Sequence, residues 1–160
     1  MSLFNLAENA KLVEAITPQA GGAITGDYVS LKYARTAFVV VHINQAAANT
    51  MAITVEQATN VAAGGSKAIT NAVPVWANED CVTSDELVRK PDAVAFTTSA
   101  ATKHKLVVFQ VDPGSLDKAG GFDCITVKTA ASNAANITSA FYVLSDYRYQ
   151  GDVPPSAIVD

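Results

Sequence analysis

The stretch Thr36-Ala-Phe-Val-Val-Val-His-Ile-Asn44 decides the fold class. Successive side chains of a strand point to opposite faces. Read that way, Ala37, Val39, Val41 and Ile43 form one face, and Phe38, Val40 and His42 form the other. A strand apolar on both faces belongs in the middle of a sandwich or under a partner. Just downstream, Thr50 to Ala58 sets Met51, Ile53, Val55 and Gln57 against Thr50, Ala52, Thr54 and Glu56, the pattern of a half-buried antiparallel strand. The small polar run Asn44-Gln-Ala-Ala-Ala-Asn49 between them reads as a hairpin loop.

Working outward, Gly64-Gly65-Ser66 breaks the chain before a short extended piece, Lys67 to Thr70. Val73-Pro-Val-Trp-Ala77 is extended again, with Pro74 placing it at an edge or a bend. Asn78 to Pro91 is acidic and predicts a helical turn around Ser84 to Val88. Ala93 to Ser99 and Lys103 to Val111 read as a strand pair, and Asp123 to Thr129 and Ile137 to Ser145 close the set. Leu116 is an apolar plug in the loop between Asp112-Pro113-Gly114 and Gly120-Gly121. About seven to nine strands separated by turn signals predict an all-β fold, a single antiparallel β-sandwich. The connections are too short and too rich in Gly and Asn for crossover helices. Alternating long loops and hairpins fit a jelly roll.

Both ends differ from this body. Leu3, Leu6, Ala7, Ala10 and Val13 recur at helical spacing up to Pro18, so residues 1–18 are expected to form a short helix or an arm. Residues 19–150 are the sandwich. Residues 151–160, with Pro154-Pro155, are expected to be an extended tail. Either end could be a docking arm or could pack on its own domain.

The chain of 160 residues is one domain's worth of sequence. Only 16% of residues are charged, against about 25% in an average domain, so its surface is Thr, Ser, Asn and Ala, or is covered by partners. A net charge of −4 argues against a nucleic-acid binder. No segment reaches the ~18 consecutive apolar residues of a membrane span. The N-terminus lacks a basic region followed by an apolar core, so synthesis and retention in a cytosol are expected. Cys81 and Cys124 are widely spaced and read as small buried hydrophobes.

The residues that could carry chemistry do not assemble into a motif. His42 lies on an apolar stripe and reads as a core or interface histidine, and His104 between Lys103 and Lys105 as a solvated strand start. His42, Cys81, His104 and Cys124 are scattered singly, unlike the clustered ligands of a zinc site. Gly21-Gly-Ala-Ile-Thr-Gly26 has the outer glycine spacing of a P-loop, but Asp27 stands where the phosphate-binding lysine is required. Glu79, Asp80, Asp85 and Glu86 lack the Gly-centred loop of a calcium site and read as a solvated acidic loop. Tyr142, Tyr147 and Tyr149 read as packing aromatics. No catalytic, cofactor-binding or metal residue is expected, and the chain reads as a structural or binding module rather than an enzyme.

Three stretches carry a resemblance. They are Tyr28-Val-Ser-Leu-Lys-Tyr33 leading into Phe38-Val-Val-Val-His-Ile43; Thr54-Val-Glu-Gln-Ala-Thr59 with Gly65-Ser-Lys-Ala-Ile-Thr-Asn-Ala-Val-Pro74; and Gly121-Phe-Asp-Cys-Ile-Thr-Val-Lys128 through Tyr147-Arg-Tyr149 to Pro154-Pro-Ser-Ala-Ile158. The chain resembles the head structural proteins of tailed bacteriophages, and among them the jelly-roll capsid decoration, or cementing, proteins. That resemblance implies a virion protein on the capsid exterior, made in the host cytoplasm, whose partner is the major capsid protein. It implies no catalytic residues; from the charge, the missing motifs and the lack of an apolar span, no cofactor, nucleic acid or membrane is expected. The alternative is a phage tail or fibre module that binds a receptor or carbohydrate, with Tyr28, Tyr33, Trp76 and Tyr142 as stacking candidates. Because both faces of residues 36–44 need cover and one domain has one core, a homo-oligomer is expected, a dimer before a trimer.

Overall fold

The computed structural model describes residues 5–148 and 155–159. A single helical turn, α1 (Leu6–Asn9), leads into β1 (Ala10–Ala20). There follow β2 (Ile24–Thr25), β3 (Val29–Ser30), β4 (Ala34–Asn44), β5 (Ala52–Ala58) and β6 (Lys67–Ala68). The second half holds β7 (Val73–Asn78), β8 (Val88–Ala93), β9 (Ala95–Thr97), β10 (His104–Val111), β11 (Cys124–Thr129) and β12 (Ile137–Tyr147). One sheet has six strands in the order β1-β12-β4-β10-β7-β8. The other runs β2-β11-β5-β6, with β3 also on β11 and β9 also on β5. Every pairing is antiparallel.

The pairings are nested. First pairs with last (β1 with β12), the next with the last but one (β2 and β3 with β11), and β4 with β10. The ribbon then closes on itself, because β12 also pairs β4 and β11 also pairs β5. A long antiparallel ribbon rolled so that alternate segments fall in opposite sheets is the jelly-roll topology. Here the β7–β8 hairpin extends one sheet.

Alternation in β4 and β5 is as the sequence predicts. Ala37, Val39, Val41 and Ile43 are fully buried, as are Met51, Ile53, Val55 and Gln57. They meet Val107, Phe109, Val75 and Tyr142 from the six-stranded sheet and Val29, Ile125 and Val127 from the other, and Leu116 plugs one end. Each large side chain so buried stabilises the fold by about 1.5–3 kcal/mol.

Several local expectations are corrected. Among the described residues up to Pro18 the helix is limited to Leu6–Asn9; from Ala10 the chain is a strand on β12. A lone helix of this length is marginal, and a complete strand partner outweighs it. Residues 44–49 are not a hairpin loop but a crossing from one sheet to the other. The side chain of buried Asn136 ties that crossing, accepting from Ala47 N at 2.8 Å and donating to Asn49 O at 3.2 Å. Residues 93–99 and 103–111 do not pair: β9 joins β5, whereas β10 joins β4 and β7. Period-two patterning fixes which side chains are buried but not which strand lies beside them. The expected helical turn at 84–88 falls earlier, where Ser84 N donates to Asp80 O at 3.1 Å, and Val88 already belongs to β8. Of the edge or bend expected at Pro74 the bend holds: Pro74 lies at a register shift between β7 and β8, and the edge strand β8 carries Pro91.

The described part of the tail lies on its own domain. Ser30 N donates to Ala157 O at 2.7 Å, Lys11 Nζ donates to Pro155 O at 2.7 Å, and Ala157 is buried while Ile158 and Val159 are exposed. Expectations for residues 1–4, 149–154 and 160 lie outside the described residues.

Candidate functional site

Directly paired residues of an antiparallel sheet share a face, so the register sets out what the six-stranded sheet shows on its outer side. Its central row is Glu14, Phe141, Val40, Val108, Trp76 and Arg89, one residue from each of the six strands in spatial order. On one side of it lies Leu12, Val143, Phe38 and Gln110; on the other, Ser139, His42, Leu106 and Asn78. Leu12 is 55% exposed and Phe141 40%. Phe38, Val40, Leu106, Val108, Val143 and Trp76 are half-buried. Apolar side chains on five adjacent strands make a contiguous patch, and such a patch marks an interaction site on a folded protein.

The row's ends are charged. Glu14 is exposed on edge strand β1. Arg89, on edge strand β8, holds its guanidinium 4.9 Å above the Trp76 ring and pairs with Asp92. The stacked arginine completes the apolar surface of Trp76 while keeping its charge at the rim. His42 and His104 stack with centroids 6.3 Å apart on this same face, so His42 is a solvated face residue and not a core one.

The most buried charge lies elsewhere. Lys105 is fully buried although it is a lysine, because its parity on β10 is that of Val107 and Phe109. Its Nζ donates to Ser99 O at 2.6 Å, Ser99 Oγ at 3.0 Å and Gln45 Oε1 at 3.1 Å, and Glu79 Oε2 lies 3.9 Å away. Burial pulls the Lys105 ammonium below its usual pKa, against the opposing pull of Glu79. Burial also pushes the Glu79 carboxyl up, but hydrogen bonds from Ser99 and the charges of Lys90 and Lys105 more than offset this and leave it lowered. Thr98 bridges Gln45 Oε1 and Met51 N, so the cluster clamps the strand crossings at one end of the sandwich. At the other end a cleft of about 580 Å³ is lined by Arg35, Asp112, Pro113, Gly114, Lys118 and Arg148. These cations come from separate stretches, and no local motif announces them.

The remaining sequence candidates stay apart. Gly21 and Gly26 allow close backbone approach: a Cβ on Gly21 would meet Asn133 O at 2.6 Å, and one on Gly26 would meet Ala15 O and Val127 O at 3.0 Å. Cys81 is half-buried and Cys124 is buried. Among the described residues no group of three or more His, Cys, Asp or Glu side chains could hold a metal ion. Tyr142 is fully buried and cannot stack on a ligand; its hydroxyl donates to Asp27 O at 2.8 Å and accepts from Val127 N at 3.1 Å. Tyr28 is tied to Ser66, and Trp76 is covered by Arg89. The proposed stacking residues therefore form no common platform, and Tyr149 lies outside the described residues.

No family model matches the chain, and no curated protein matches it in sequence. Among solved structures, the SPBc2 prophage-derived protein YomS is similar at 10% identity and a TM-score of 0.49, over 90% of this chain and 100% of that one. A putative sugar binding protein from Bacteroides thetaiotaomicron VPI-5482 is similar at 11% identity and a TM-score of 0.31, over 84% of this chain and 83% of that one.

Proposed function

We propose that this chain is a non-enzymatic structural protein of a phage virion, which binds the outside of the capsid and cements neighbouring capsomers. The observation that carries the reading is the open apolar face of the six-stranded sheet, a surface built to associate rather than to face water. The resemblance of residues 28–43, 54–74 and 121–158 to capsid decoration proteins supplies the kind of assembly. Cementing works by multivalency. A protein that touches two capsomers at once makes their separation break several contacts together, so moderate individual affinities suffice. The many side-chain hydrogen bonds that tie the crossings, such as those of Asn136, Gln45 and Thr98, suit a body that must transmit load without local opening.

Quantitative mass spectrometry of purified virions tests the reading. Copy number comparable to that of the major capsid protein is the expected result. A handful of copies per particle would move the protein to a tail or fibre, and absence from particles would overturn the proposal.

A further inference from the structure

We infer that the outer face of the six-stranded sheet is a homodimer interface, with a two-fold axis lying in the interface parallel to the strands and passing between β4 and β10. The central row is a palindrome in chemical character: charge, aromatic, valine, valine, aromatic, charge, read from Glu14 through Phe141, Val40, Val108 and Trp76 to Arg89. Its midpoint is the midpoint of the six strands. Rotation about that axis lays the row on its own reverse. Val40 then faces Val108 of the second copy, Phe141 faces Trp76 under its Arg89 cap, and Glu14 faces the Arg89 that also pairs with Asp92 of its own chain, each contact occurring twice as an isologous interface requires. Only the signs of the end charges differ, and that difference turns a neutral repeat into a complementary one.

Sheet twist agrees with this arrangement. A twisted sheet is a saddle, and a two-fold axis in its mean plane along the strands carries the saddle onto a parallel copy of itself. The gap between two copies therefore stays even across all six strands. The other in-plane axis that preserves this fit runs along the row and sets Glu14 against Glu14 and Arg89 against Arg89, which costs energy at both rims. A second copy is thus the occupant that the face itself specifies. Six strands about 4.8 Å apart and three rows about 7 Å apart give roughly 500 Å² in projection, so two copies together hide about 1,000 Å². That is near the lower bound for a specific interface, and the dimer should be reversible and concentration-dependent.

The inference rests on the same open face that carries the proposed function, and a face closed by a second copy leaves the capsid to be met by the dimer's other surfaces. On a capsid, the dimer makes each particle-bound unit bivalent. The test is sedimentation and light scattering of the full chain over a wide concentration range, with Glu14→Arg, Arg89→Glu and the double exchange. Both sites are exposed, and unchanged melting of dilute samples will show that folding is intact. Each single exchange should weaken the dimer by about tenfold or more, and the double exchange should recover part of that loss but not all, because Arg89→Glu also takes the guanidinium from Trp76 and Asp92. Trp76, the only tryptophan, lies in the row and reports independently: its emission should shift to shorter wavelength as the dimer forms. A chain that stays monomeric at all concentrations overturns the inference. So does a dimer indifferent to the single exchanges, which would mean another face or the other axis. A monomer whose Trp76 becomes protected only on capsids would assign the face to the capsid instead, overturning the dimer while leaving the proposed function intact. A dimer absent from virions would do the reverse.

Discussion

On the outer side of β5 and β11, Glu56 accepts from Ser66 Oγ at 2.7 Å and pairs with Lys128 Nζ at 2.6 Å, while Tyr28 donates to Ser66 at 2.8 Å. On the outer side of β4 and β12, equivalent positions hold Phe38, Val40, Phe141 and Val143. The first sheet is also roofed by its own loops: Thr126 Oγ1 donates to Gly26 O at 2.6 Å, and Ala58, Cys124 and Thr126 are fully buried although they point away from the core. On the outer face of the six-stranded sheet Leu12 and Phe141 are exposed, and Phe38, Val40 and Val108 are only half-buried. Both sheets obey the same alternation, so the difference lies in where the chain spends its loops and polar side chains. A sheet that faces water is polar on that side, and one that faces protein is not. The contrast is between a polar, roofed outer face and an apolar one, and mutations that treat the two faces alike should not behave alike.

The largest effect expected separates the inner from the outer side of the six-stranded sheet. Phe109 is fully buried on β10, and Phe109→Ala should cost about 3–5 kcal/mol, lowering Tm by roughly 2–4 °C per kcal/mol. Phe141, 40% exposed on β12, should lose less than about 1 kcal/mol on change to alanine in dilute solution, with its effect appearing in association instead. Chemical denaturation of both variants, dilute and concentrated, checks this. Equal losses in dilute solution would mean that the outer face is already covered within the free chain.

How much of this was legible beforehand differs by level. The two-sided apolarity of residues 36–44 announced both the buried inner face and the need for cover outside, because a period of two is local information. The buried lysine was missed: Lys103 to Lys105 read as a solvated strand start, although Lys105 shares the parity of Val107 and Phe109. The Glu14–Arg89 row was not. It joins residues 75 positions apart through four intervening strands, and its register is set by tertiary pairing. Strand neighbours were misjudged for the same reason at 44–49 and 93–111, where sequential strands belong to opposite sheets. The helical spacing of the first residues was real in pattern, but β12 offered strand partners to residues 10–14, 16, 19 and 20.

A smaller effect concerns the lock between the two sheets. Tyr142 follows Phe141 directly and so points inward, where its hydroxyl spans the core to Asp27 O and Val127 N. Tyr142→Phe leaves both backbone groups unpaired and should cost about 1–3 kcal/mol. Burial pushes the Tyr142 phenol far above its usual value, against opposing hydrogen bonds from Thr126 and Val127. Because the folded pKa is raised, the stabilisation is complete below the unfolded value near 10 and is lost as pH rises through the folded one. Removing the hydroxyl should therefore flatten the alkaline decline of stability. It should not abolish it, since burial also pushes Tyr147 up to about 12. Urea melts between neutral and strongly alkaline pH check this; an unchanged alkaline slope would show that Tyr142 does not titrate with unfolding.

The smallest effect tests whether charge or packing dresses the roofed sheet. Burial pushes the Glu56 carboxyl up, but hydrogen bonds from Lys128 and Ser66 and the charge of Lys128 outweigh this, leaving it below its usual value. Lys128 is raised in turn, with the hydrogen bond to Glu56 as the main cause. A lowered folded pKa means that the stabilisation is present above the unfolded value, near 4.5, and is lost as pH falls through the folded one. Glu56→Gln keeps the size and an acceptor for Ser66 but removes the charge. At neutral pH it should cost less than about 1 kcal/mol, because the pair is partly solvated. The difference from the parent should shrink in high salt, which screens such pairs, and disappear once acid protonates Glu56 in both folded and unfolded chains. A loss of several kcal/mol that ignores salt and pH would mean that shape, not charge, closes this face. The polar dress of one sheet and the bare face of the other would then differ less in kind than the contacts imply.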